Sequence, residues 1–284
     1  MRATLLVVTG RLTTGLRATA LVAAGLLATG LLATAPRITV PLGAQSLAAR
    51  VRASDGLVQV VFPSRPEACG DGAGMIGDVL GESGFGGPAR QPIRSRYSMN
   101  RPCVHGPARA VATIVRGEVT RIRTFVGPVS PAPTDVRTID APSAEAATWL
   151  AALADTASGR VASDVMLPLV LADRSEPWPL FLRIARDDHR SREVRRTALS
   201  WLARAVTHQL GLDAPSYDLT DDDEMRSQAV FVLAQRPKNE SVPELIDLVR
   251  ASPRPAVRRS AIFWLGQTAD GRAADLYAEL LRLR

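Results

Sequence analysis

The chain has 284 residues, a formal net charge of +7, 46% hydrophobic side chains and only 5% aromatic ones. That length holds one large or two ordinary domains with a real core. Four of the positive charges (Arg2, Arg11, Arg17 and Arg37) lie in the first 46 residues, which contain no acid, so the remainder carries 7 − 4 = +3. A charge that mild excludes a nucleic-acid partner as the default reading.

Residues 1–46 have the layout of a secretory signal. A basic start runs to Arg17, and an apolar stretch rich in Ala, Leu and Gly follows from Ala18 to Ala35. Ala33-Thr34-Ala35 fits the small-x-small cleavage pattern, but Pro36 would follow the cut. Ala44-Gln45-Ser46 is the better site and makes Leu47 the first mature residue. The alternative is an uncleaved anchor, because about 18 apolar residues stand at the lower edge of a membrane-spanning length. Gly and Ala make the span weakly hydrophobic, which favours cleavage. The expected location is therefore outside the cytoplasm, in the periplasm or cell envelope. Membrane attachment follows only if the segment stays on. Apart from Lys238 every cationic side chain is arginine, and with the Ala and Gly load this points to a GC-rich bacterial genome.

From residue 47 to 127 the pattern is that of a small β-rich domain. Gly56 to Phe62 alternates, with Val58, Val60 and Phe62 on one face. Ala108–Val115 and Glu118–Val126 read as a hairpin whose Gly117 supplies the positive φ of a two-residue turn. The returning strand alternates imperfectly, as an edge strand or a bulged one does. The two cysteines, Cys69 and Cys103, both fall here, and in an exported chain such a pair is expected to form a disulfide. Zinc ligation by Cys69, Cys103 and His105 is disfavoured by the spacing. The Gly-rich run from Cys69 to Gly87 lacks the Lys-Ser/Thr ending of a phosphate loop.

Residues 128–142 are Pro-rich and read as a linker. From 143 to 284 the pattern is helical, with Ser143 as the expected cap of the first helix. Three segments, Val194–Leu202, Met225–Leu233 and Val257–Leu265, are copies of one another. Their Arg, Ala and Leu recur at 195/226/258, 198/229/261 and 202/233/265. The spacing is 31 and then 32 residues, the period of a repeat array. Ala146-x-x-Trp149-Leu150 is a fainter fourth copy. Partner helices precede two of the copies, at Trp178–Arg186 and Val242–Arg250, each with Pro expected in its first turn. Residues 207–218 are too polar and too broken by Gly and Pro for a full first helix of their unit.

Pro243-x-Leu245-x-x-Leu248, matched by Pro179-x-Phe181-x-x-Ile184 and followed by Val-Arg-x-x-Ala-x-x-x-Leu, resembles the HEAT repeat. That resemblance implies antiparallel helix pairs stacked into a curved superhelix. The expected fold is thus α+β: a small disulfide-linked antiparallel β domain followed by an all-α HEAT-like α-solenoid. Repeats of this kind serve chiefly as scaffolds and binding surfaces.

Catalytic patterns are absent: there is no HExxH, GxSxG or SxxK. The run Thr220-Asp221-Asp222-Asp223-Glu224 lacks the alternation of a calcium loop and reads as a cap and first-turn acids of a helix. His208 near Tyr217 and Asp218 has no nucleophile to serve. Trp149, Trp201 and Trp264 share one repeat position and are expected to pack. Arg195, Arg226 and Arg258 form a candidate ladder for an acidic partner surface, unless each pairs with an acid of a neighbouring repeat unit. The sequence therefore predicts an exported, non-enzymatic interaction scaffold with a protein partner, no cofactor and no metal. The alternative is a ligand-binding or hydrolytic protein, its site between the β domain and the concave face, lined by His105, Asp71 and arginines.

Overall fold

A computed structural model describes residues 46–74, 76–77, 79–80, 103–128, 135–212 and 220–283. The segment expected to be a secretory signal, apart from Ser46, most of the Gly-rich loop, and Tyr217 and Asp218 fall outside these residues.

The described chain opens with a one-and-a-half-turn helix α1 (Leu47–Arg52), capped by the Ser46 hydroxyl. Next come β1 (Gly56–Phe62), three two-residue strands β2 (Cys69–Gly70), β3 (Ile76–Gly77) and β4 (Val104–His105), and the hairpin β5 (Ala108–Val115) and β6 (Glu118–Val126). The hairpin turns on Arg116 and Gly117, with φ of 53° and 78°, so both residues of the two-residue loop are left-handed. A register shift between Thr113 and Ile114 is the bulge that the uneven alternation required.

The main sheet has the order β6-β5-β1-β7, and its fourth strand revises the linker reading. Strand β7 (Val136–Asp140) lies inside the stretch assigned to a linker and pairs with β1 in parallel, Val60 opposite Ile139. The sheet is therefore not purely antiparallel. Parallel pairing needs a long crossover, so local turn chemistry gives no hint of it. A second sheet, β3-β2-β4, carries the Cys69–Cys103 disulfide, whose Cα atoms are 5.2 Å apart.

Val58, Val60, Phe62, Ala108, Ala110, Ala112 and Ile114 are buried on one face of the main sheet. Three helices pack on the sheet: α2 (Ser143–Thr156), α3 (Gly159–Asp164) and α4 (Met166–Leu171). Just beyond β1, the backbone of Arg65 donates to Leu171 and that of Asp173 to Pro63. Sheet and helices thus share one continuous core. Ser143 does not cap α2. Pro142 precedes the helix, and the Ser143 hydroxyl donates instead to the Pro63 carbonyl at 2.7 Å, tying helix to strand end.

The remaining helices are α5 (Trp178–Arg186), α6 (Arg192–Gln209), α7 (Asp221–Ala234), α8 (Lys238–Ala251), α9 (Pro255–Gly266) and α10 (Gly271–Leu280). Short turns make hairpins of α5 with α6 and of α8 with α9, as the repeat reading expects. Helix α8 starts earlier than its pattern suggests, so Pro243 stands inside it rather than in its first turn.

The helices do not stack in sequence order. In a solenoid each unit packs against its sequence neighbours. Here α6 packs directly on α9, and α9 lies between α6 and α7. Helix α10 touches α5, α6 and α8. The close approach of α6 to α9 depends on Gly266: a Cβ there would stand 3.0 Å from the Ala203 Cβ and 3.4 Å from the Ser200 Cα. The Ser200 hydroxyl also donates to the Gly266 carbonyl at 3.2 Å. Trp149 and Trp201 are buried in the shared core, and the half-buried Trp264 packs against it.

Candidate functional site

The three repeat arginines do not act alike. Arg195 pairs with Asp188 at 2.6 Å, in the turn before its own helix. Arg226 pairs with Asp222 one turn back at 3.0 Å, and Arg254 of the α8–α9 turn reaches the same carboxylate at 2.9 Å. The Arg258 Nε donates to the Val249 carbonyl of α8 at 3.1 Å. Each has a partner within the chain, and each partner is different.

Arg195 belongs to a group that the repeat pattern hides. It stands with Arg192 at the start of α6, near Lys238 at the start of α8 and Arg272 at the start of α10. The Lys238 ammonium donates to the Thr268 carbonyl, and the Arg272 guanidinium donates to the Lys238 carbonyl at 3.0 Å. Burial lowers the Lys238 pKa, and the positive charges of Arg192, Arg195 and Arg272 lower it further, against the pull of Asp270. Asp270 caps α10 and is held by Arg272 at 2.9 Å. Four cations thus converge from three helix starts, with Asp188 and Asp270 paired to two of them and Glu193 and Glu240 in the first turns of α6 and α8. Helix N-termini add positive potential in the same place. Chemically the cluster suits carboxylate groups presented by a flexible segment, since Arg offers paired donors and Lys a point charge. The signal available in sequence was the position of these residues, all within the first turn of a helix.

A concavity lies at one end of the main sheet. It is a cleft of about 520 Å³ lined by residues 61 to 66, Ala68, residues 105 to 107, Asp140 and Ala141. All of its walls come from the β region, so the helices contribute no side of it. His105 lines it, with its Nδ1–H donating to the Ala68 carbonyl at 3.1 Å, which fixes the ring. Asp140 lines it from the end of β7. Arg65 also lines it, but its guanidinium is spent on the Val170 and Ser175 carbonyls. The Ser64 hydroxyl donates to the Gly106 carbonyl at 2.7 Å, so it is not set up as a nucleophile. Asp71 is not among the lining residues, and its carboxylate accepts from the Ala73 and Gly74 amides of its own turn.

The remaining candidates have structural roles. Thr220 caps α7, accepting from the Asp223 amide, and the acids that follow occupy the first turn. Cys69 and Cys103 are joined to each other. The buried Arg109 lies over the Phe125 ring and donates to the Gly72 and Pro128 carbonyls, which ties the disulfide loop to the main sheet. Among the described residues no group of three or more His, Cys, Asp or Glu side chains is placed to hold a metal, and no helix is long and apolar enough to cross a membrane. No protein-family model matches the chain, and comparison with curated proteins and with solved structures gives no significant match.

Proposed function

We propose that this chain is an exported, non-enzymatic scaffold with HEAT-like helix pairs, which docks an acidic segment of a protein partner in the bacterial cell envelope. The observation that carries the reading is the convergence of Arg192, Arg195, Lys238 and Arg272 at three helix starts, where the helix N-termini add positive potential. The disulfide is in keeping with an oxidising compartment. Glu145 faces the proposed new N-terminus: the Leu47 nitrogen donates to its Oε1 at 2.7 Å, and Arg50 donates to its other oxygen at 3.0 Å. A signal peptidase cut after Ser46 would leave the new α-ammonium on that carboxylate, as a charge-assisted pair.

A photo-crosslinking residue at position 192, activated in living cells, tests the reading. One dominant protein adduct is expected in the envelope fraction, lost when Arg195 and Lys238 are both changed to Glu. An adduct insensitive to that reversal, or no adduct from a protein that turns over a substrate, contradicts it.

A second reading, a small-molecule site, is favoured by the cleft that holds His105 and Asp140. Titration of the purified protein with a small-molecule library distinguishes it: binding abolished by His105→Ala supports the cleft, and binding unaffected by that change removes it.

A further inference from the structure

The cleft at the end of the main sheet is one-sided in its hydrogen bonding. Its side-chain donors are engaged elsewhere. The Ser64 hydroxyl donates to the Gly106 carbonyl, and Nε and Nη2 of Arg65 donate to the Val170 and Ser175 carbonyls. The backbone is short of donors too. Pro63, Pro66 and Pro107 have no N–H, and the amides of Arg65, Ala68 and Ala141 donate to the carbonyls of Leu171, Arg65 and Val61.

What the cleft offers is acceptors. Asp140 is exposed at the end of β7, its carboxylate has no hydrogen bond or ion pair among the described residues, and an ionised carboxylate only accepts. The His105 ring carries a proton on Nδ1, because the Ala68 carbonyl can only accept from it. In the neutral ring Nε2 is then an acceptor. Beside these groups the wall is apolar, made by Val61 and the three prolines. The volume of about 520 Å³ lies in the range of small-molecule sites. An anion would meet the Asp140 charge with no free side-chain donor to hold it. A neutral hydrocarbon would cover both acceptors and pair neither. A primary ammonium brings three N–H donors and the opposite charge.

We propose that this cleft binds a small primary amine in its protonated form, the ammonium held by Asp140 and His105 and the hydrocarbon laid along Val61 and the prolines. This ligand class rests on the reading of the cleft as a small-molecule site. Asp140 and His105 are both exposed, so water screens the ion pair and the affinity is modest.

Four ligands of one chain length test the assignment by NMR chemical-shift titration of the oxidised full chain: hexylammonium, hexanol, hexanoate and hexyltrimethylammonium. Hexylammonium is expected to bind with a Kd of about 1 mM or tighter, with shifts centred on the cleft, and the other three about tenfold or more weakly. Asp140→Asn should weaken hexylammonium by about tenfold and leave the urea midpoint unchanged, since the carboxylate is exposed and unpaired. Hexylammonium binding indifferent to Asp140→Asn, or centred away from the cleft, overturns the proposal. Equal binding of hexanol or hexyltrimethylammonium at the cleft also overturns it, while leaving the cleft a small-molecule site. If none of the four binds, the amine assignment falls, and the library titration decides the wider reading separately.

Discussion

At the scale of single residues, Asp270 shows how much one capping side chain does. Its carboxylate accepts from the Arg272 backbone amide and guanidinium at 3.0 Å and 2.9 Å, and those bonds hold its pKa below the usual range despite partial burial. A carboxyl whose folded pKa is depressed contributes stability above its unfolded value, near pH 4, and loses that contribution as the pH falls through the lower folded value. Asp270→Asn keeps a capping oxygen, so urea melts should show the variant less acid-sensitive than the parent below about pH 4. Asp270→Ala should cost about 1 kcal/mol at neutral pH, measured the same way. Tyr277 is the buried counterpart. Its hydroxyl donates to the Ile262 carbonyl at 2.6 Å, and burial pushes its pKa well above the ordinary value. In an alkaline absorbance titration this tyrosine should ionise only as the protein unfolds, and Tyr277→Phe should abolish that late step at a cost of about 1 kcal/mol.

At the scale of elements, the contact of α6 with α9 sets the order of the helical region. Ser200, Phe231 and Phe263 occupy one repeat position, and Ala203, Ala234 and Gly266 another. Only α6 has a small residue at the first position, so it accepts the Gly266 end of α9 at short range. Phe231 of α7 packs instead on Trp264. Gly266→Val should therefore destabilise the protein by about 1–3 kcal/mol through overpacking, read as a shift in the urea midpoint at constant slope. Strands β1, β5 and β6 were legible in the sequence because their alternation and the Arg116-Gly117 turn are local signals. So were the cysteine pair and the α5/α6 and α8/α9 hairpins. Strand β7 was not, since its partner β1 is far away and its neighbours are prolines. The helix order was not either: a repeat period encodes which segments are alike, not which flank of α9 each one takes. The cationic cluster stayed hidden for the same reason, because its members are brought together only by that packing.

At the scale of the whole molecule, one core runs from α1 through the sheet to α10, and the disulfide closes a loop at its β end. The bridge spans a sequence separation of 34 and should contribute about 3 kcal/mol, so Cys69→Ser with Cys103→Ser should lower the urea midpoint accordingly. Arg109 and the Gly72 amide, which donates to the Val126 carbonyl at 2.9 Å, would still tie that loop to the main sheet. The proposed export entails this staple formed and residues 1–46 removed, and both leave a mark on the mass. The most direct measurement is thus the intact mass of the protein recovered from the envelope of the cells that make it. A chain that begins at Leu47 and is lighter than its reduced form by the two thiol hydrogens is expected; a chain that keeps Met1 with Cys69 and Cys103 both free would contradict export.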